Sequence, residues 1–148
     1  MKIKLEFNED DVNRIIKELE WETTDSMSTL LTFKKALAKV ERSAKQKAPK
    51  DTGALRRSIT SKVEREGDDF VGYVFTPLEY APYVEYGTGL FAESGGRKDV
   101  PWNYQDDKGE WHSTSGQKPQ PFMRPALQEN REEILRILKR DMFKYIKD

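Results

Sequence analysis

From Met27 onward the apolar residues Leu30, Phe33, Leu37, Val40, Ala44 and Ala48 recur at steps of three and four. A helix with 3.6 residues per turn is what lines such positions up on one side, so the run predicts an amphipathic helix of about six turns. Lysines and arginines fill its other side. Pro49 ends it, because proline has no N–H to continue the ladder and its ring clashes with the preceding turn. A helix with one apolar stripe has to lie against a second layer, and the rest of the chain must supply that layer.

KIKLEF (2–7) alternates, with Ile3, Leu5 and Phe7 on one side, and reads as a short strand. Asn8 follows as a helix cap, ahead of an apolar stripe of Val12, Ile15, Ile16 and Leu19 that the polar run TTDS (23–26) breaks. Beyond Pro49, Asp51 or Thr52 is expected to cap a short helix, GALRRSI, with Leu55 and Ile59 facing inward. Residues 59–66 and 69–76 read as a β-hairpin turning at Glu66-Gly67-Asp68.

The stretch YAPYVEYGTG (80–89) predicts another short helix, with Pro82 in its first turn and Gly87 in the left-handed position past its last. Tyr80, Tyr83 and Val84 then share a face and are expected to pack down as a lid on the sheet. Residues 90–119 are too long for a plain connection in a compact domain. Inside them Val100, Trp102 and Tyr104 alternate, Asp107-Lys108-Gly109 offers a turn, and Trp111 begins a return, which predicts an extended hairpin arm with an aromatic face. PQPFMRPAL leads into a last helix that Pro125 opens and that runs to about Lys147, with Arg124 held extended before the proline. Leu127, Ile134, Leu135, Leu138, Met142, Tyr145 and Ile146 form its buried side. The expected architecture is one α+β domain over 1–148: a small antiparallel sheet packed by the long central helix and the C-terminal helix, with 90–119 as the arm.

Composition narrows what such a domain can do. There is no cysteine, which removes disulfides, thiolate zinc sites and thiol nucleophiles. The N-terminus lacks an apolar signal core and no run is long enough to span a membrane, so the chain is expected to stay on the cytosolic side with no membrane partner. Charged residues reach 35 % and cancel to a net charge of zero, but in blocks: −4 over 1–33, +8 over 34–65, −7 over 66–110 and +3 over 111–148. Such blocks either neutralise each other within one molecule or suit head-to-tail association of copies.

Catalytic signals are weak. The single histidine, His112, stands near Asp106, Asp107 and Glu110, which reads as a solvated hairpin tip rather than a metal site. A calcium loop aligned on Gly109 fails because Tyr104 and Lys108 fall at ligand positions. Gly87-Thr88-Gly89 finds Ala92 where a dinucleotide fingerprint needs glycine, and Gly95-Gly96-Arg97-Lys98 lacks the frame of a phosphate loop. No nucleophile, base and orienting group can be assembled, so neither an enzyme nor a cofactor is expected, and a hydrolase is only a remote reading. The basic run from Lys34 to Arg65 leaves open a non-specific DNA-binding role. A pair between Arg56 or Arg57 and Glu85 is expected to tie the two short helices together.

Three segments in order, KAPKDTGALRRSI (47–59), YAPYVEYGTG (80–89) and QPFMRPALQEN (120–130), resemble the tail-component proteins of long-tailed double-stranded DNA phages and prophages, a family typified by the tenth gene product of phage Hong Kong 97. The likeness lies in Pro-x-Asp-Thr-Gly-x-Leu-x-x-Ser, Tyr-Ala-x-Tyr-Val-Glu-x-Gly-Thr and Pro-Phe-x-Arg-Pro-Ala, each present without a gap. The resemblance implies a virion structural protein, made in the host cytoplasm, that completes the tail or joins head and tail. Related proteins are thought to form rings, commonly hexamers, around the channel that DNA crosses without specific recognition. It further implies contacts with the head connector and with the tail tube or tail terminator. The matched positions are Asp51, Thr52, Gly53, Leu55, Tyr83, Glu85, Gly87, Phe122, Arg124 and Pro125, expected to determine fold and interface. Arg56, Tyr80 and the arm residues Trp102, Tyr104 and Trp111 join them as candidates, although the segment between Gly89 and Pro119 departs from the family pattern.

Overall fold

The computed structural model describes residues 1–5, 26–51, 53–66 and 69–146. The strand β1 (Lys2–Leu5) leads, and the long helix α1 (Ser26–Lys47) follows. Next come a one-turn helix α2 (Ala54–Ser58) and the strands β2 (Thr60–Glu66) and β3 (Asp69–Phe75). After them the chain forms α3 (Ala81–Tyr86), a 3-10 turn (Gly89–Phe91), the strands β4 (Trp102–Gln105) and β5 (Trp111–Thr114), and α4 (Met123–Ile146). The helix expected after Asn8, Thr52 and the 67–68 turn lie outside the described residues.

Three strands form an antiparallel sheet in the order β1-β3-β2, with Lys2 opposite Phe75, Thr60 opposite Phe75 and Glu66 opposite Asp69. The expected α+β class and the β2–β3 hairpin are therefore present. One core joins the layers: Leu37, Val40 and Ala44 of α1, Leu55, Ile59, Val74 and Ala81, and Phe122, Met123, Ala126, Ile134, Ile137 and Leu138 around α4. Ile137 belongs to this core in addition to the stripe expected for the last helix, while Leu30 and Phe33 at the start of the α1 stripe are only partly buried.

Two boundaries differ from expectation, each for a physical reason. Asp51 does not hold the cap position of α2, and Thr52 lies outside the described residues. Gly53 holds the N-cap position at φ 74, a conformation that costs a glycine little. The helix α4 starts at Met123, two residues before Pro125, so Arg124 is helical rather than extended. A partner for the free N–H groups at that end makes the early start possible, and it comes from a distant part of the chain.

Arg56 does not pair with Glu85. Its Nε donates to the Ala48 carbonyl at 3.0 Å and its terminal nitrogen to the Gln46 carbonyl at 3.2 Å, closing off the end of α1. Several cations of the basic block find partners inside the molecule, on α4 and within the block itself. Along α1, Lys35 meets Asp141 at 3.2 Å, Lys47 meets Glu129 at 2.7 Å and Lys39 meets Glu133, all acids of α4. Lys45 pairs with Glu41 one turn away, and Lys62 pairs with Glu64.

Candidate functional site

The Glu85 side chain is completely buried, at 0 % exposure. A charge so placed is tolerated only when every lone pair has a partner. Here one carboxylate oxygen accepts the backbone N–H groups of Phe122 at 2.8 Å and Met123 at 2.9 Å. The other accepts the N–H of Arg124 at 3.1 Å and its side-chain Nε at 2.9 Å. These are the free donors at the first turn of α4, so Glu85 acts as the cap that α4 lacks locally, and its charge meets the positive end of the helix dipole. Burial by itself pushes the Glu85 carboxyl up, but the Met123 and Phe122 N–H groups and the Arg124 side chain outweigh it and hold it below the usual carboxylate range.

Arg124 extends the network outward. Its two terminal nitrogens reach the two oxygens of Glu93, each at 2.9 Å, and the guanidinium lies 4.6 Å from the centre of the Tyr86 ring. Glu93 and Glu85 together push its pKa further up, so the charge is permanent. The ion pair expected for Glu85 thus exists with Arg124, 39 residues away, and not with Arg56 or Arg57. The motif Pro-Phe-x-Arg-Pro-Ala held the signal, since it sets an arginine in the first turn of a helix, where one remote carboxylate can take both the free backbone N–H groups and the guanidinium.

This network turns α3 over. Ala81 and Glu85 point inward and Val84 packs partly against the core, while Tyr83 is 59 % exposed and Tyr80 and Tyr86 are also outside. The expected tyrosine lid is corrected: the inward face carries the small alanine and the capping carboxylate, and the aromatic face looks to solvent. Leu90 and Phe91 are exposed beside it.

Gly87 and Gly89 shape the exit from α3. Gly87 sits at φ 76 with ψ 175, outside the left-handed helical region first expected, and its N–H bonds to the Tyr83 carbonyl. Gly89 sits at φ 59, and a Cβ there would lie 2.3 Å from the Ser115 carbonyl oxygen. Between them Thr88 donates its N–H to the Gln117 carbonyl at 2.9 Å and accepts the Gln117 N–H on its hydroxyl at 2.9 Å. Gly-Thr-Gly thus clamps the two ends of the 90–119 segment together. Gly89→Ala is expected to open that clamp, seen as faster amide hydrogen exchange through residues 88–91 and 115–117 while the core stays protected. Unchanged exchange there would count against it.

The hairpin exists, with Trp102 opposite Thr114, Tyr104 opposite His112 and Gln105 opposite Trp111. Directly opposed residues share a face, so Trp102 and Tyr104 lie on one side and Trp111 on the other, which corrects the single aromatic face expected. Tyr104 instead stacks on His112, ring centres 5.3 Å apart. Asp106 accepts the N–H groups of Lys108 and Glu110, both at 2.9 Å, and meets His112 Nε2 at 2.8 Å. Those contacts, His112 first and the Glu110 N–H next, hold the Asp106 carboxyl below its usual range. Asp106, Glu110 and His112 offer ligand atoms within 4.8 Å of one another, but the group is a turn clamp on an exposed tip.

All three motif segments border one open groove of about 730 Å³. Pro49, Asp51, Gly53 and Leu55 come from the first, Tyr80, Tyr83, Val84 and Thr88 from the second, and Gln117 and Gln120 from the approach to α4. Phe122 is fully buried beneath the network, and Pro125 lies in the first turn of α4. Among the described residues no helix is long and apolar enough to cross a membrane.

The fold is a mixed α+β domain in which a buried carboxylate ties α3 to the start of α4 beside an exposed aromatic surface. The chain belongs to the family described as "Bacteriophage HK97-gp10, putative tail-component", whose model matches residues 10–87. That match takes in the Asp-Thr-Gly segment and most of the Tyr-Ala-Pro-Tyr-Val-Glu segment, and the partner arginine of Glu85 lies beyond it. No curated protein and no solved structure matches the chain.

Proposed function

We propose that this protein is a structural part of a phage or prophage virion that completes the tail or joins it to the head, assembling as a ring, hexameric in the simplest form, around the DNA channel. The observation that carries this reading is the exposed cluster of Tyr80, Tyr83, Tyr86, Leu90 and Phe91 on a platform rigidly tied to the core through Glu85 and Arg124. Exposed aromatic groups on a fixed scaffold suit permanent contacts between proteins, and family membership supports the tail as the place. The role is mechanical and needs neither catalytic group nor cofactor.

Subunits would meet around an axis and present one face to the head connector and the other to the tail tube or terminator, with assembly in the host cytoplasm. Asp51, Thr52, Gly53, Leu55 and Gly87 would serve the fold of the platform, and Tyr80, Tyr83, Trp102, Tyr104 and Trp111 its contacts. The alternative of a DNA grip through residues 34–65 loses support because Lys35, Lys39, Lys45, Lys47 and Lys62 already face carboxylates and Arg56 closes α1. Particles made without this protein are expected to show incomplete tails or separated heads and tails by electron microscopy, repaired by supplying the chain in trans. Normal infectious particles in its absence would rule the proposal out.

A further inference from the structure

The exposed apolar surface has two parts, held by different means. Tyr80, Tyr83 and Tyr86 stand on α3 or at its start, and α3 is fixed by the buried Glu85 carboxylate. Leu90 and Phe91 stand on the 3-10 turn that follows, 56 % and 41 % exposed. With its large apolar side chains in water, the stretch 90–96 has no hydrophobic burial to hold it down.

Its backbone hydrogen bonds run mostly to itself or to the arm. The Phe91 N–H donates to the Thr88 carbonyl and the Gly95 N–H to the Ala92 carbonyl, both at 3.1 Å, and the Leu90 N–H to the Ser115 carbonyl at 3.0 Å. Contact with the helices comes from Glu93. Its N–H donates to the Tyr86 carbonyl at 3.0 Å, and its carboxylate receives both terminal nitrogens of Arg124, each at 2.9 Å. Among the described residues no other hydrogen bond joins 90–96 to α3 or α4. A two-pronged arginine–carboxylate contact fixes direction as well as distance. Arg124 holds the Glu93 carboxyl below its usual range, so both partners are charged at neutral pH, and water reaches both. The end of the stretch returns to its beginning, since a Cβ on Gly96 would lie 2.2 Å from the Gly89 carbonyl oxygen. At Gly95 φ is 78, and an added Cβ would meet nothing within 4 Å, so the chain turns there in open space.

We propose that residues 90–96 form a strap latched by Glu93 to Arg124, and that releasing the latch frees Leu90 and Phe91 from the tyrosine surface without unfolding the domain. The contact surface then has a fixed half on α3 and a movable half on the strap. An exposed ion pair adds little to the stability of a whole domain, but a strap with no apolar anchor needs little to hold it. The base of the arm is independent of the latch, because Thr88 and Gln117 are joined by their own hydrogen bonds. The latch belongs to the folded chain itself and does not rest on the tail reading above.

Amide hydrogen exchange on the intact protein, with rates taken relative to those of free peptides, tests the latch. Glu93→Gln removes the charge and Glu93→Ala the whole carboxyl group, while both leave Glu85 and its N–H partners in place. The amides of residues 93 and 95 are expected to exchange roughly three- to tenfold faster in Glu93→Gln, and at least as fast in Glu93→Ala. The amides of Thr88, Gln117, α3 and α4 are expected to keep the parent's rates, and the melting temperature to hold, which a general loosening of the domain would not allow. Added salt is expected to speed the two strap amides in the parent and to leave Glu93→Gln nearly unchanged, because only the parent has this charge pair to screen. Parent-like exchange at both amides in both variants, an equal salt effect in parent and variant, or an increase shared by Thr88, Gln117 and the helices would overturn the latch.

Discussion

Replacing Glu85 with alanine is expected to lower the unfolding free energy by about 3–5 kcal/mol, as removing one side of a buried ion pair commonly does. The loss has two sources: the Phe122, Met123 and Arg124 N–H groups are left without an acceptor, and the Arg124 charge loses its buried partner. Glu85→Gln keeps an acceptor oxygen but not the charge and should fall between. Denaturant unfolding measures this as a shift in midpoint at constant slope. An alanine variant within about 1 kcal/mol of the parent would show that α4 does not depend on this cap.

The same residue gives the fold an acid-sensitive component. The folded-state pKa of Glu85 lies below its ordinary value of 4.5, so the unfolded chain binds the proton more readily. The stabilisation is therefore complete above pH 4.5 and is lost as the pH falls through the lower folded value. Between neutral pH and that region the alanine variant should lose less further stability than the parent. Parallel acid profiles for the two proteins would contradict this assignment.

Phe122→Ala carries the second large expected cost, about 3–5 kcal/mol, typical of a large aromatic removed from a packed core. Phe122 is fully buried and is the residue through which the extended Pro-rich approach enters the core, directly before α4 begins. Unlike Glu85→Ala, this loss should be nearly independent of pH, because a cavity and not a charge is created. A cost below about 1.5 kcal/mol would mean that neighbouring side chains collapse into the space.

Much of this fold is legible in residue order alone. The three- and four-residue steps from Leu30 to Ala48 mark α1, the Glu66-Gly67-Asp68 turn and the aromatic and β-branched residues after it mark the β2–β3 hairpin, and Pro82, Gly87 and Pro125 lie at the ends of their helices. The site is less legible. Glu85 and Arg124 both stand out as charges within motifs otherwise made of small and aromatic residues, but their pairing does not follow from spacing. The expected partners were Arg56 or Arg57, and Arg56 instead answers the open carbonyls at the end of α1.

Periodicity and turn chemistry are properties of neighbours along the chain, since sterics and the burial of one stripe act over a few residues, and so they are written into the sequence itself. Three matters were settled only in three dimensions. The inward face of α3 went to Ala81 and Glu85 and not to the tyrosines, because the unsatisfied N–H groups of α4, brought in from far along the chain, demanded an acceptor. The register of β4 on β5 put Trp111 on the opposite face from Trp102 and Tyr104, because pairing and not residue type decides which side a strand residue takes. The α1 lysines met the α4 acids because the packing of two helices sets which charges lie within reach.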